Sequence, residues 1–547
     1  MGLRNVWTKK RPIGSSGYIT LPLLLWGLEG EICGLCQFNA IAGNLIEGWA
    51  MIRKVILFAA LFTLAPFSVG AKSLYVNNSG TPVCSDSTTY ANNSPSSPWC
   101  TLGRAMWGST NRAAPVPAQA VTAGDTVLVT AGTYSAPYTG TRFDVVFNPV
   151  NTGTSEGARI VIKAVGVVEL RSTGTSGGPL IGANGKNYIT WDGFYINEAN
   201  SPQLSGERAM CMFSAANYGL VQNCTLVGLG SDAADANTSA IFFNGSIGSR
   251  AYNNTIYNIK ATGTNVAAIY TYGATSCIME HNNIYNSDAA LFIKGNVGVT
   301  TNTGNVFRFN KAWNLAKFGV RIGGTGGDAN ANNLIYQNVF YGSPAARILF
   351  TSYSSYTGNV FANNTIYNAK SAYIYGSTYS SGTVRYYNNI IHTVATSVAY
   401  TEDYTDTYPT DYDFQHNSYY GTPAGNWWVE KDGAAFATWN TWIGAEPWNQ
   451  DNISPASTNG TNPLFANIAE NDFRLCTASG VPHASCSTAS PALTLGIDIL
   501  DLDRDGLTND TIPAGAYITG NDIIGGITPS QMKSVSPAPI MGIGPPL

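Results

Sequence analysis

A motif of the form Asn-x-apolar-aromatic returns about every 28 residues through the middle of this 547-residue chain. Its members begin at Asn223, Asn254, Asn282, Asn310, Asn338, Asn364, Asn389 and Asn417, and Asp192-Gly193-Phe194-Tyr195 fits as an earlier one. Successive spacings are 31, 31, 28, 28, 28, 26, 25 and 28. A period of this length, with short β-type runs and no helical pattern, points to a solenoid with one coil per repeat. Propeller blades have longer units, and leucine-rich repeats need a leucine lattice that is missing here. The expected fold class is therefore all-β: a single-stranded parallel β-helix with about ten or more coils, stacked at the strand spacing of about 4.8 Å.

The columns of the repeat then acquire physical meaning. Asn tolerates left-handed backbone, and its side-chain amide can bond the same group one coil on, which satisfies buried polar atoms without charge. The column two residues after it reads Phe194, Thr225, Ile256, Ile284, Ala312, Phe340, Ile366, Ile391 and Tyr419. It is mostly apolar and is expected in the core. Side chains alternate along a strand, so the next column points outward: Tyr195, Leu226, Tyr257, Tyr285, Trp313, Tyr341, Tyr367, His392 and Tyr420. Asn258, Asn286, Asn314 and Asn368 follow as a second turn column. An outward aromatic ladder has two readings. Stacked rings stabilise a sheet as same-face neighbours, or they form a flat platform for sugar rings.

Charge fits this picture. Only 11% of the residues are charged, under half the usual share of about a quarter. With 44% hydrophobic and 12% aromatic residues, the chain is neither disordered nor a coiled coil. A net charge of −4 leaves no electrostatic footprint for nucleic acid. Asn ladders can do in a solenoid what ion pairs do elsewhere, so the few charges on regular strands are the informative ones.

The N-terminus carries a Sec-type signal pattern that begins fifty residues into the chain. Met51-Ile52-Arg53-Lys54 is basic, Val55 to Leu64 is apolar, and Val69-Gly70-Ala71 is a small-residue cleavage site. Met51 is read as the start and residues 1–50 as an upstream extension, whose apolar run Ile19–Leu28 contains Pro22 and is too short to span a bilayer. Residues 51–71 are the signal peptide, 72–180 an N-terminal cap with the first coils, 181–420 the repeats, and 421–547 the last coils with a C-terminal cap. A secreted protein is expected, extracellular, cell-surface or periplasmic, with no membrane insertion. Cys84 with Cys100 and Cys476 with Cys486 are locally spaced pairs that can close loops in an oxidising compartment. Cys211, Cys224 and Cys277 lie in the repeats, where free cysteine is commonly buried core.

At this point the chain resembles the right-handed parallel β-helix proteins of the pectate-lyase-like superfamily. The entry segments Leu74-Tyr75-Val76, Ser97-Pro98-Trp99-Cys100-Thr101-Leu102 and Ala123-Gly124-Asp125-Thr126-Val127 carry the likeness, followed by Ile160 to Ala164 and Tyr188 to Phe194. At the exit, Asn462-Pro463-Leu464-Phe465, Asp472-Phe473-Arg474-Leu475, Ser490-Pro491-Ala492-Leu493 and Pro513 to Tyr517 are similar to segments that close such proteins. The resemblance implies the right-handed fold and a polysaccharide partner. It leaves the chemistry open between a lyase or hydrolase and a non-catalytic surface or adhesive protein. The Asn-Thr-Asp, Asp-Asp and Arg-Ile-Lys set of polygalacturonase-like hydrolases is missing.

A lyase of acidic polysaccharide needs a base for the proton α to a carboxylate and a cation for the enolate. Lys294 and Arg321, on corresponding strands of successive coils, are the catalytic candidates, an arrangement similar to that of alginate- and chondroitin-lyase-like members. Arg347, Tyr257, Tyr285, Trp313 and Tyr341 are the substrate-binding candidates. Glu280 and Asp288 are the nearby acids. For metal, Asp501, Asp503, Asp505 and Gly506 copy the first half of a calcium loop, though position twelve is Ile512, so Ca2+ is the one cofactor expected. An acidic, Tyr-rich loop from Glu402 to Asp413 reads as a groove cap or a solvated excursion. The cluster Trp427, Trp428, Trp439, Trp442 and Trp448 reads as packed C-terminal cap, with a carbohydrate subsite as the other reading.

Overall fold

The computed structural model describes residues 70–526 except 138–143, 174–177, 199–207, 229, 232–236, 297–301, 356–357, 377–383, 393–399, 403–411, 422–427, 430–434, 437–456, 504 and 519–521. Residues 51–69 of the signal-peptide stretch lie outside these residues. Among them, no helix is long and apolar enough to cross a membrane.

A short helix, Leu102–Trp107, covers the N-terminal end. Thr101 caps it by accepting from the Arg104 N–H, and Gly108 ends it in a left-handed conformation. Among the described residues the regular elements after it are strands and a few single-turn 3-10 helices, and most of the strands pair in parallel in three ladders. The first sheet includes Arg208–Ser214, Thr238–Asn244, Val266–Tyr272, Ala289–Asn296 and Phe318–Ala331. The second includes Leu220–Gln222, Arg250–Tyr252, Ile278–Glu280, Val306–Arg308 and Leu334–Tyr336. The third includes Thr225–Val227, Thr255–Tyr257, Asn283–Tyr285 and Lys311–Trp313.

The expected parallel β-helix is therefore the fold, but its coil number is lower than expected. About seven turns, from Arg208 to His392, have all three strands paired on both sides. Beyond them the ladders continue only in part. Ser73–Val76 and Thr126–Ala136 pair before the first sheet begins, and Thr458–Asn459 is the last rung of the third sheet alone. Capping elements take over where a further full turn was expected.

The core column of the third sheet is Ile196, Leu226, Ile256, Ile284, Ala312, Phe340, Ile366, Ile391 and Tyr419, each at most 1% exposed. They lie opposite one another rung by rung. Two expectations shift here. Thr225 faces out, opposite Tyr195 and Thr255, and Leu226 faces in. The corner holds two adjacent columns that both favour Asn, and at Asn223-Cys224 only the first is Asn. Alignment on the asparagine therefore slips by one residue, and a one-residue slip exchanges the faces.

The two columns do different work. The residue before each ladder position adopts left-handed backbone: Asn223, Asn253, His281, Phe309, Gln337, Asn363, Asn388 and His416 have φ of 50 to 58°. The ladder residues Asn254, Asn282, Asn310, Asn338, Asn364, Asn389 and Asn417 are not left-handed and are completely buried. Each but Asn417, the last, donates its side-chain N–H to the next one's Oδ1 at 2.9–3.1 Å, always in the same direction along the axis. A second ladder, Asn305 to Asn333 to Asn359, lies at the corner between the first and second sheets, with links of 3.0 and 2.9 Å. Buried Cys224 and Cys277 hold the equivalent position at the head of each ladder, where their N–H groups bond Asn254 and Asn305. Burial pushes both thiols up to about 12, which makes them unreactive core residues. Cys84–Cys100 and Cys476–Cys486 are disulfides, as the spacing suggested.

After the last rung the chain turns back over the outside. Phe465–Asn467 and Asp472–Leu475 form an antiparallel hairpin. Ile497 exchanges two hydrogen bonds with Asn388, at 2.7 and 3.0 Å. Pro513 accepts from Asn363 at 2.9 Å, the Ala516 N–H donates to Thr365 at 3.0 Å, and the Gly525 N–H reaches the Phe309 carbonyl at 2.6 Å. This segment thus docks onto progressively earlier turns.

Candidate functional site

Outward positions of the first sheet bring the basic candidates together. Lys294 stands opposite Gly323, Arg321 opposite Phe292, and Arg347 opposite Phe318, so the three occupy different columns of neighbouring strands. Lys294 and Arg321 converge on one ring: Nζ lies 5.9 Å and the guanidinium carbon 4.4 Å from the Phe292 centroid. Arg321 is also 5.5 Å from the Phe318 ring. Both cations are tethered. Lys294 donates to Asn237 Oδ1 at 3.1 Å, an oxygen that also accepts from the Tyr270 hydroxyl at 2.7 Å. Arg321 donates to the Thr264 carbonyl at 3.2 Å.

Beneath them runs a strip that sequence reading missed. Met212, Phe242, Tyr270 and Phe292 occupy successive outward positions, yet each is at most 5% exposed. Phe318, at 7%, joins the same cluster. Apolar residues at both inward and outward positions of one strand, as in Leu291-Phe292-Ile293, were the available signal.

The two acids expected nearby serve elsewhere. Glu280, 2% exposed, lies on the second sheet between Arg250 and Arg308, with a 2.6 Å bond from Arg308 Nε. Arg308 also donates to the Tyr336 hydroxyl at 2.8 Å. Burial alone would raise the Glu280 pKa, but the Arg308 and Arg250 guanidiniums outweigh it and hold the carboxyl below its usual range. Asp288 pairs with Lys317 at 2.8 Å and accepts from the Ala261 N–H.

The aromatic ladder stacks face to face. Tyr257 and Tyr285 lie 4.8 Å apart at 7°, Tyr285 and Trp313 4.6 Å apart at 11°, and Trp313 and Tyr341 5.6 Å apart at 20°. These rings are half-buried. Each inner ring covers its neighbours' faces, so the stack presents ring edges and hydroxyls to solvent. Tyr341 lies under Phe473 of the hairpin, 5.3 Å away, and burial pushes its hydroxyl up to about 12. The open part of the ladder is thus Tyr257, Tyr285 and Trp313.

In the acidic turn, Asp501 and Asp503 meet Asp498, and Asp503 also meets Asp505 and Asp510, with ligating atoms within 4.8 Å in each group. Asp498 and Asp510 had no place in the DxDxDG pattern. Asp498 is buried and accepts from the backbone N–H groups of Leu500, Leu502 and Asp503. Asp510 Oδ1 is buried with no hydrogen-bond partner among the described residues. Burial and the neighbouring Asp505, Asp498 and Asp510 carboxylates push the Asp503 pKa up. Of the tryptophan cluster, Trp427, Trp439, Trp442 and Trp448 lie outside the described residues, as does most of the acidic loop, 403–411.

Three parallel ladders wound by one chain, with an Asn ladder at a tight corner, define a single-stranded parallel β-helix, the architecture implied by the likeness to pectate-lyase-like proteins. No family model matches the sequence. No curated protein matches it either. Among solved structures, the chain is similar to the XylC protein in complex with xylose (13% identity, TM-score 0.46, covering 81% of this chain and 98% of that one). It is similar to pectate lyase Pel9A (12%, 0.41, 82% and 97%) and to PfbA, a surface adhesin of Streptococcus pneumoniae (12%, 0.36, 55% and 84%).

Proposed function

We propose that this protein acts on an acidic extracellular polysaccharide, gripped on the outward face of the first sheet. One observation carries the reading. Lys294, Arg321 and Arg347 all stand on this face, and the outward positions opposite them on neighbouring strands, Tyr272, Phe292, Phe318 and Gly323, carry no acid. A single-sign strip favours a polyanion. In a lyase reaction Lys294, as the free amine, takes the proton α to a uronate carboxylate. The electron pair forms the C4–C5 double bond, and the glycosidic oxygen at C4 leaves, protonated by water. Arg321 stabilises the charge that develops on the carboxylate, and Arg347 holds a neighbouring unit. The edges of Tyr257, Tyr285 and Trp313 offer a second contact line through hydroxyl and indole N–H groups.

Incubation with a panel of uronate polysaccharides is expected to raise ultraviolet absorbance from unsaturated chain ends. Arg347→Ala is expected to weaken binding about tenfold, as loss of one charge-assisted bond would. If Lys294→Ala leaves the absorbance rise intact, the base is misassigned. Binding without product from any polymer favours a non-catalytic, adhesive protein, a reading supported by the tethering of both Lys294 and Arg321.

For the acidic turn we propose a structural Ca2+ ion, held by Asp498, Asp501 and Asp503 beside Asp505 and Asp510. Crowded carboxylates and the orphaned Asp510 oxygen support it. Calcium in excess is expected to raise the unfolding midpoint and a chelator to reverse the rise. An unchanged midpoint removes the ion from the structure.

A further inference from the structure

We propose that the described residues of the stretch 464–526 form an acid-released strap, held against the β-helix at neutral pH by the uncharged histidines His281, His392 and His416. The chain contains four histidines, and these three lie where the strap meets the turns. His416 Nδ1 is 2.8 Å from the Leu495 carbonyl. His392 stacks with Phe465 of the hairpin, 6.1 Å away at 17°. His281 is wedged between the Tyr252 and Phe309 rings, and its backbone partner is Gly525. In each ring one nitrogen is buried with no hydrogen-bond partner among the described residues: Nδ1 of His281, Nδ1 of His392 and Nε2 of His416. A proton added there places a charged N–H against protein with nothing to accept it.

Neighbouring charges do not rescue these sites as a group. His281 faces Glu280 but also Arg308 and Arg250, two cations to one anion. His392 faces the neutral rings of Tyr367, Tyr420 and Phe465. Only His416 has a lone carboxylate, Asp413, and its pKa is lowered all the same, burial being the largest cause. Burial brings both His281 and His392 down to about 4. The sign follows from linkage. A detached strap lets each ring take its proton near the ordinary value of about 6.5. Closure is therefore complete above that pH and weakens as pH falls toward 4, by up to about tenfold per histidine per unit. Release bares Tyr341, Tyr367 and His392, which continue the open stack of Tyr257, Tyr285 and Trp313.

Hydrogen exchange on the full chain, corrected for the intrinsic pH dependence, tests this between about pH 7.5 and about pH 5. Protection of the backbone at 496–518 is expected to fall steeply, while the ladder turns around Asn282 and Asn310 keep theirs. The triple variant His281→Gln, His392→Phe, His416→Asn is expected to flatten the response, and His483→Gln, in the strap but half-exposed, to leave it unchanged. Should the triple variant not fold, His392→Phe alone is expected to lower the slope by one proton. Constant protection of 496–518, simultaneous loss in strap and ladder, or an undiminished slope in the variants overturns the proposal. The last outcome would assign the response to the aspartates of the strap.

Discussion

Asn310→Ala is expected to lower the free energy of unfolding by about 3–5 kcal/mol, an effect few single substitutions reach. Asn310 Oδ1 accepts from both the backbone and the side-chain N–H of Asn282, at 2.9 Å each. Its own amide donates to Asn338 at 3.0 Å and to the Met279 and Arg308 carbonyls at 2.9 Å. Alanine removes all of these and gives water no route in, because the position is completely buried. The Asn282 backbone N–H and the Met279 and Arg308 carbonyls are left wanting, while the Asn282 side-chain amide keeps the Ala251 and Glu280 carbonyls. Each orphan costs about 1–3 kcal/mol, less whatever the turn recovers by relaxing. At the head of the ladder, Asn254→Ala strands only the Cys224 N–H and the Val221 carbonyl, so about two thirds of the loss is expected. Urea titration of both variants measures the difference. Equal losses, or a loss under about 1 kcal/mol for Asn310→Ala, would mean that the ladder contributes nothing beyond an ordinary buried polar pair.

Glu280→Ala is expected to cost about 3 kcal/mol, near the lower end for breaking a buried ion pair. The carboxylate is 3% exposed and stands between Arg250 and Arg308, whose side chains are 30% and 16% exposed. Arg250 can turn partly to water, but Arg308 remains largely covered. Replacing Glu280 and Arg308 together by leucine is expected to recover part of the loss, since the uncompensated charge goes with the pair. The pH dependence has a definite sign. The folded pKa of Glu280 is lowered, so its contribution is present above the ordinary carboxylate value and disappears as pH falls through the depressed one. The gap between wild type and variant is expected to close in acid. A gap that widens there would assign the effect to another group.

The repeat was legible because two separate demands select the same residue. Left-handed backbone and an amide ladder both favour asparagine, so the corner recurs visibly from Asn253-Asn254 to Asn363-Asn364. The same coincidence hid the phase at Asn223-Cys224. The second ladder was readable in principle, since Asn305-Val306-Phe307, Asn333-Leu334-Ile335 and Asn359-Val360-Phe361 share a pattern at near-coil spacing. So was the Glu280 network, whose arginines lie 30 residues before and 28 after it. The strap was not. Three of its hydrogen bonds join residues 109, 150 and 151 apart in the chain, and no local pattern in either partner announces the other. The basic face falls between these cases. Lys294, Arg321 and Arg347 were visible as charges on strands, but the buried rings against which the heads of Lys294 and Arg321 lie follow from strand register, which single residues do not reveal.

The one-way sense of the Asn ladder has a consequence for how such a chain changes length. Every turn offers the next the same donors and receives on the same acceptors, at separations of 25 to 28 residues from Asn254 to Asn417. Duplicating or deleting one whole turn joins like to like and leaves no mismatched seam. A single residue inserted between Asn253 and Asn254 breaks the seam at once. The turn, rather than the residue, is the increment by which this molecule can be lengthened or shortened over its history.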